Sequence, residues 1–177
     1  MTISQVYHGA PDTPRSDAEQ RCYETLAALG IGYDRVDHDS ADTMEDCAAI
    51  GAVLGVDICK NLVLTPRNRS AFYLLCMPGD KPFLTKDFSK QIGSSRLSFA
   101  TAEDMEELLG CQPGSASILG LANDTGRRVI LAVDRAVWET QWFGCHPCKN
   151  TSSLKLRTED VKRFVAQSGH EVHIVEL

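Results

Sequence analysis

The chain has 177 residues, of which 43% are hydrophobic and 24% charged, and a formal net charge of −6. A chain of this length can bury a continuous core as one domain, and no run approaches the ~20 consecutive apolar residues needed to span a bilayer. The acidic balance argues against broad, nonspecific attraction to nucleic acid, so recognition of such a partner would have to be local.

Residues 1–14, marked by Pro11 and Pro14, read as a loose lead-in without the basic start and apolar run of a secretory signal, which leads us to expect a cytoplasmic protein. Ser16 and Glu19 make a capping-box pair, and Cys22, Leu26 and Leu29 recur on one helical face until Gly30 and Gly32. Tyr33–Val36 is a short strand candidate. Thr43 and Asp46 cap a second helix, MEDCAAIGAVLG, which Gly51 and Gly55 shorten or end. The apolar run Asn61–Leu64, the turn Pro66-Arg67-Asn68 and the run Ala71–Met77 predict a hairpin, followed by a Pro78-Gly79-Asp80 turn. A short helix is expected over Thr85–Gln91, and another from Thr101 and Asp104 to Gly110. Val129–Val133 reads as a buried strand and Leu154–Leu156 as a short one. Thr158 opens a final helix with Val161, Phe164 and Val165 inward, and His170–Leu177 is a closing strand. Helices and strands mix without strict alternation, which favours a single α+β domain over 1–177 with a curved, mostly antiparallel sheet.

Three stretches could carry chemistry. The loop Cys111–Asp124, CQPGSASILGLAND, concentrates small residues at Gly114, Ser115, Ala116, Ser117 and Gly120, so a ligand or another backbone can approach its amides. It is either one wall of a pocket or a tight structural crossing. Lys60 directly precedes the apolar run NLVL, where an ammonium either neutralises a phosphate or developing oxyanion, or simply snorkels. In FGCHPCKNTSSLKL, His146 and the polar run Asn150-Thr151-Ser152 suit hydrogen bonding to a small ligand or a structural turn. The same stretch holds Cys145 and Cys148 as C-x-x-C. No second C-x-x-C or H-x3-H completes a zinc site, and no long helix follows as a dithiol site would want. The seven cysteines are odd in number and do not read as a secreted disulfide framework. No Ser-His-Asp order, Walker loop or dinucleotide fingerprint stands out. Lys81, Lys86, Lys90 and Arg96 form a local basic cluster in KPFLTKDFSKQIGSSR.

Taken together, Lys60-Asn61-Leu62, Gly114-Ser115-Ala116-Ser117 with Gly120-Leu121, and His146-Pro147 with Asn150-Thr151 resemble the bacterial prolyl-tRNA editing (YbaK-like) superfamily. The resemblance runs from about Asp17 to the C-terminus and is strongest to the family's free-standing, ProX-type alanyl-tRNA(Pro) deacylases. It implies hydrolysis of the ester joining a wrong amino acid to proline tRNA, the correction needed where a synthetase pocket discriminates poorly against small substrates. It implies that Lys60 is the critical residue, that the Gly114–Ser117 and Gly120 region and Asn61, His146 and Asn150 bind the substrate, and that no cofactor, metal or protein nucleophile is used. The basic cluster Lys81, Lys86, Lys90 and Arg96 would then meet the tRNA acceptor end, with prolyl-tRNA synthetase a second expected partner. Two positions depart from the family pattern. Ile118 stands where its loop usually has proline, and Cys145 stands where alanine-specific members often carry a second histidine; both are expected at the pocket. The rivals are a deacylase for cysteinyl-tRNA(Pro) or another small aminoacyl-tRNA, a binding protein without turnover, and a zinc or thiol-redox protein built on Cys145 and Cys148.

Overall fold

The computed structural model describes residues 1–177. In chain order the first half contains β1 (Tyr7–His8), α1 (Asp17–Ala28), β2 (Asp34–Asp37), α2 (Met44–Leu54), β3 (Lys60–Pro66), β4 (Phe72–Met77) and α3 (Thr85–Gln91). The second half contains β5 (Leu97–Phe99), α4 (Ala102–Leu109), a 3-10 turn at Ile118–Ala122, β6 (Val129–Asp134), α5 (Arg135–Trp138), β7 (Trp142–Cys145), β8 (Ser152–Arg157), α6 (Thr158–Ser168) and β9 (Val172–Val175). No helix is long and apolar enough to cross a membrane.

Local chemistry starts and stops the helices. Thr43 with Asp46 and Thr101 with Asp104 form reciprocal capping boxes on α2 and α4, and Gly55 and Gly110 close those helices in the left-handed conformation. At α1 only half of the expected box forms. Ser16 accepts from the Glu19 amide, but the Glu19 carboxylate is buried and takes the Tyr23 hydroxyl at 3.0 Å instead.

The α+β class is as expected, with the strands divided between two sheets rather than one. One sheet has the order β1-β2-β8-β7, all antiparallel; the other has β5-β3-β4-β6-β9, in which β4–β6 and β6–β9 are parallel. The parallel pairs follow from long crossovers, the second of which passes through α6. All six residues of β4 are buried, because it sits mid-sheet with both faces covered. One face, with Val63, Leu74 and Cys76, joins the main core with α1, α4, α6 and the other sheet. The opposite face, with Leu64, Leu75 and Met77, is closed by Phe88 of α3. Ile50 and Leu54 pin α2 onto Val36 and Ile58 in a third cluster; burying each contributes about 1.5–3 kcal/mol.

The N-terminal stretch is not a loose lead-in. Tyr7 and His8 pair with Arg35 and Asp34, Ile3 bridges to His38, and the Ser4 amide donates to the Asp37 carbonyl. Long-range partners in β2 fix a segment whose prolines suggested otherwise.

Candidate active site

The two sheets touch where the chain enters β3. Ile58 forms a parallel bridge to Gly144 of β7, and the Cys59 amide donates to the Gly144 carbonyl at 3.0 Å. Only glycine fits this crossing. A Cβ on Gly144 would stand 2.5 Å from the Asp57 carbonyl oxygen and 3.0 Å from Ile58 Cδ1. The segment that leads into Lys60 and Asn61 is thereby joined to the strand that leads into Cys145 and His146, although the two motifs are more than eighty residues apart in sequence.

A cavity of about 1000 Å³ opens at this junction. One wall is α2, whose Met44, Cys47, Ala48, Gly51 and Gly55 share a face at helical spacing. The only charges on α2 lie in its first turn, so both faces are apolar: one is buried by the core and the other borders the cavity. The Pro78-Gly79-Asp80 turn and the Val56–Cys59 segment make the second wall, and α5 with Trp142 the third. Gly79 lets the walls close together, since a Cβ there would lie 2.7 Å from Met44 Cε and 3.0 Å from the Ile58 carbonyl. Lys155 and Arg157 stack over the Trp142 ring, at 4.7 and 5.3 Å, adding positive charge to that side.

Lys60 stands at the rim rather than in the wall. Its ammonium donates to the Lys81 carbonyl at 2.9 Å, just past the turn that lines the cavity. Lys81 is committed elsewhere: its own ammonium pairs with buried Asp134 at 2.7 Å. Removing one member of such a pair strands a buried charge at a cost of about 3–5 kcal/mol. Lys81 therefore differs from its expected partners Lys86, Lys90 and Arg96, which are exposed.

The remaining predicted residues lie behind or beside the cavity. Asn61 accepts from the buried Cys76 thiol at 2.9 Å and donates to the Cys59 carbonyl at 3.2 Å. In the loop 114–120 the hydroxyls serve the backbone: Ser115 bonds both polar groups of Gln112, and Ser117 accepts from the Leu119 amide. Ala116 is buried, and Gly114 holds φ +86°, a conformation that suits glycine. Gly120 packs within 3.1 Å of Leu109 and 3.4 Å of Cys148 Sγ, measured from a Cβ placed on it. At Gly120 the loop makes a close structural crossing, whereas a Cβ on Gly114 would meet nothing within 4 Å. Ile118 and Cys145 are fully buried in the main core and are absent from the cavity wall, contrary to the expectation for the two departures from the family pattern. Asn150 donates to Ser40 Oγ at 2.9 Å and Asp42 Oδ1 at 3.1 Å, so it ties the His146 loop to the segment that leads into α2.

His146 is buried, and desolvation holds its pKa below the ordinary histidine value. Its Nδ1 lies 2.9 Å from the Ser152 carbonyl, which can only accept, so Nδ1 carries the proton and Nε2 keeps a lone pair. His38 is set the same way by the Asp39 carbonyl at 2.7 Å, and its Nε2 accepts from Ser153, whose hydroxyl also lies 3.1 Å from His146 Nδ1. Neither the sequence position of His38 nor that of Ser153 announced this relay.

The thiols are not set up for attack. Burial pushes Cys59 up to about 12 and raises Cys47, Cys76 and Cys145, so all are protonated near neutrality. Cys148 takes a left-handed φ of +64° that turns its sulfur into the core, 3.5 Å from Cys22 Sγ. No group of three or more His, Cys, Asp or Glu is arranged to hold a metal ion.

Comparison with known proteins gives this geometry its context. Residues 38–164 match the aminoacyl-tRNA editing domain model. The prolyl-tRNA editing protein ProX of Acetoanaerobium sticklandii is 30% identical over 162 residues, spanning 91% of this chain and 98% of that protein. The prolyl-tRNA synthetase associated domain-containing protein 1 of Bos taurus is 32% identical over 161 residues, 89% of this chain and 91% of that protein. A solved structure described as a candidate trans-editing enzyme for prolyl tRNA synthetase shares the fold, with a TM-score of 0.69 at 18% identity over 93% of this chain and 99% of its own. The matched domain covers most of the chain, from the His38 relay through Lys60 and the cavity to α6, and the chain belongs to the aminoacyl-tRNA editing domain family.

Proposed function

We propose that this protein is a trans-acting deacylase that hydrolyses the ester of mischarged proline tRNA, with alanyl-tRNA(Pro) as its substrate. The observation that supports it most is an apolar cavity with the Lys60 ammonium at its rim, in a chain of the editing family. One N–H of the Lys60 ammonium serves the Lys81 carbonyl. Two remain for a substrate phosphate or for the oxyanion that forms as water attacks the ester. The α2 face and Trp142 would receive the apolar parts of the aminoacylated terminal nucleotide, and His146 Nε2 would offer a hydrogen-bond acceptor from behind. The protonated thiols fit a mechanism in which water, rather than cysteine, is the nucleophile. The reaction releases the free amino acid and the uncharged tRNA, and it belongs beside protein synthesis in the cytoplasm.

Hydrolysis of alanyl-, cysteinyl- and prolyl-tRNA(Pro) by wild type and Lys60→Ala, in the presence of a chelator, tests this directly. We expect loss of alanine alone, and a fall of about 10²–10³-fold on removing Lys60, the size associated with losing one electrostatic stabiliser. Full activity in Lys60→Ala overturns the role of the lysine. Preferential loss of cysteine changes the substrate, and no hydrolysis by folded wild type leaves a binding protein.

A further inference from the structure

The face of the larger sheet that carries Lys60 continues away from the cavity to an exposed aromatic ring. Lys60, Leu62 and Leu64 point to one side of β3, and Leu64 pairs directly with Phe99 of β5, so Phe99 shares that side. Its neighbour Leu97 is buried against Phe88 of α3, whereas Phe99 is 62% exposed and held at a tilt against Phe83, with ring centroids 6.3 Å apart. Leu84, next along the chain, is 64% exposed. Along β3, Lys60 and the position opposite Phe99 are four residues apart, about 13 Å.

Arg96 stands at the head of β5, three residues before Phe99, and Lys86 and Lys90 lie on α3, the helix that packs against that strand. All three are exposed and free of ion pairs, although Asp87 is also on the helix. Of the other exposed cations, Arg69, Arg128, Arg135 and Arg163 are in ion pairs, whereas Arg21, Arg67, Arg127 and Arg157 are scattered singly without one. Lys86 and Lys90 are four apart on one helix, a like-charge spacing that opposes helix formation. In a chain of net charge −6, unmatched cations beside an exposed aromatic suit a partner that brings both phosphates and flat bases.

We propose that Phe99 is a stacking platform for an unpaired base in the 3′-terminal run of the RNA, with Lys86, Lys90 and Arg96 on its phosphates. This deepens the aminoacyl-tRNA reading and rests on it. The terminal ester lies at Lys60, the preceding nucleotides cross the Lys81–α3 surface, and one base rests on Phe99. A second protein on this patch is the alternative outcome.

The test is equilibrium binding of uncharged proline tRNA, intact or lacking its unpaired 3′ nucleotides, so that the readout does not depend on hydrolysis. Wild type should bind the truncated RNA at least tenfold more weakly. Phe99→Ala should bind intact RNA about tenfold more weakly, as expected for losing one stacked base, and should no longer respond strongly to truncation; Phe99→Tyr should restore both. Lys86→Ala should lower the salt slope of binding by about 1 while keeping the effect of truncation. The proposal is overturned if wild type binds both RNAs alike, or if Phe99→Ala binds intact RNA as wild type does. Failure of wild type to deacylate any substrate would instead sink the hydrolase reading, leaving the binding result to judge the platform.

Discussion

The neutral, buried His146 makes a specific statement about pH. Its proton sits on Nδ1 against the Ser152 carbonyl, and burial lowers its pKa in the folded protein below the ordinary 6.5. As pH falls through that value, the unfolded histidine binds a proton that the folded one refuses, so stability drops. The stability it contributes is present above the unfolded pKa and is lost on acidification. Thermal denaturation between pH 7 and pH 5 should therefore show a falling midpoint in wild type and a flatter dependence in His146→Gln. An equal fall in both proteins would refute the assignment. The sequence singled out His146 from its proline neighbour and polar run. It did not reveal the partner His38, because the relay through Ser153 depends on β2 pairing with β8.

At the scale of elements, α2 divides two kinds of work between its faces. Ala48 is exposed and borders the cavity, whereas Ile50 is fully buried against the third core cluster. Ala48→Phe should place a ring in the cavity and cut deacylation by at least tenfold, with stability unchanged to within about 0.5 kcal/mol. Ile50→Ala should do the reverse in denaturant titration, costing about 2–5 kcal/mol. A loss of stability in Ala48→Phe as large as that in Ile50→Ala would remove the distinction. The helices α2, α4 and α6 were legible because caps and apolar spacing are local: Thr43 with Asp46 and Thr101 with Asp104 announce themselves over three residues. The strands β5 and β7 were not. WFGC has no alternation to read, and it becomes a strand only because β8 returns beside it.

At the scale of the molecule, the site depends on how two sheets meet. Gly144→Ala forces a Cβ against the Asp57 carbonyl at the crossing and should destabilise the fold by about 1–3 kcal/mol. Gly32→Ala, where a Cβ meets nothing within 4 Å, is the matched control and should change little. Denaturant titration of the pair settles the point, and equal stability of both variants would mean the crossing relaxes freely. The reading of Lys60 as the critical residue came from the resemblance, since its place before NLVL alone left a snorkelling lysine open. The cavity beside it could not be read, since its walls come from α2, a turn after β4, and Trp142, three stretches that touch only once the sheets have joined. That division of labour on α2 also bears on how such a protein diversifies. Met44, Ala48 and Ala52 are solvent-accessible at the cavity, so new side chains there alter what the cavity accepts while Ile50 and Leu54 keep the helix in place. If the cavity receives the aminoacyl group as proposed, selection for a different amino acid and selection for a folded protein act on separate surfaces of one helix, and substrate range is free to drift without the scaffold having to change.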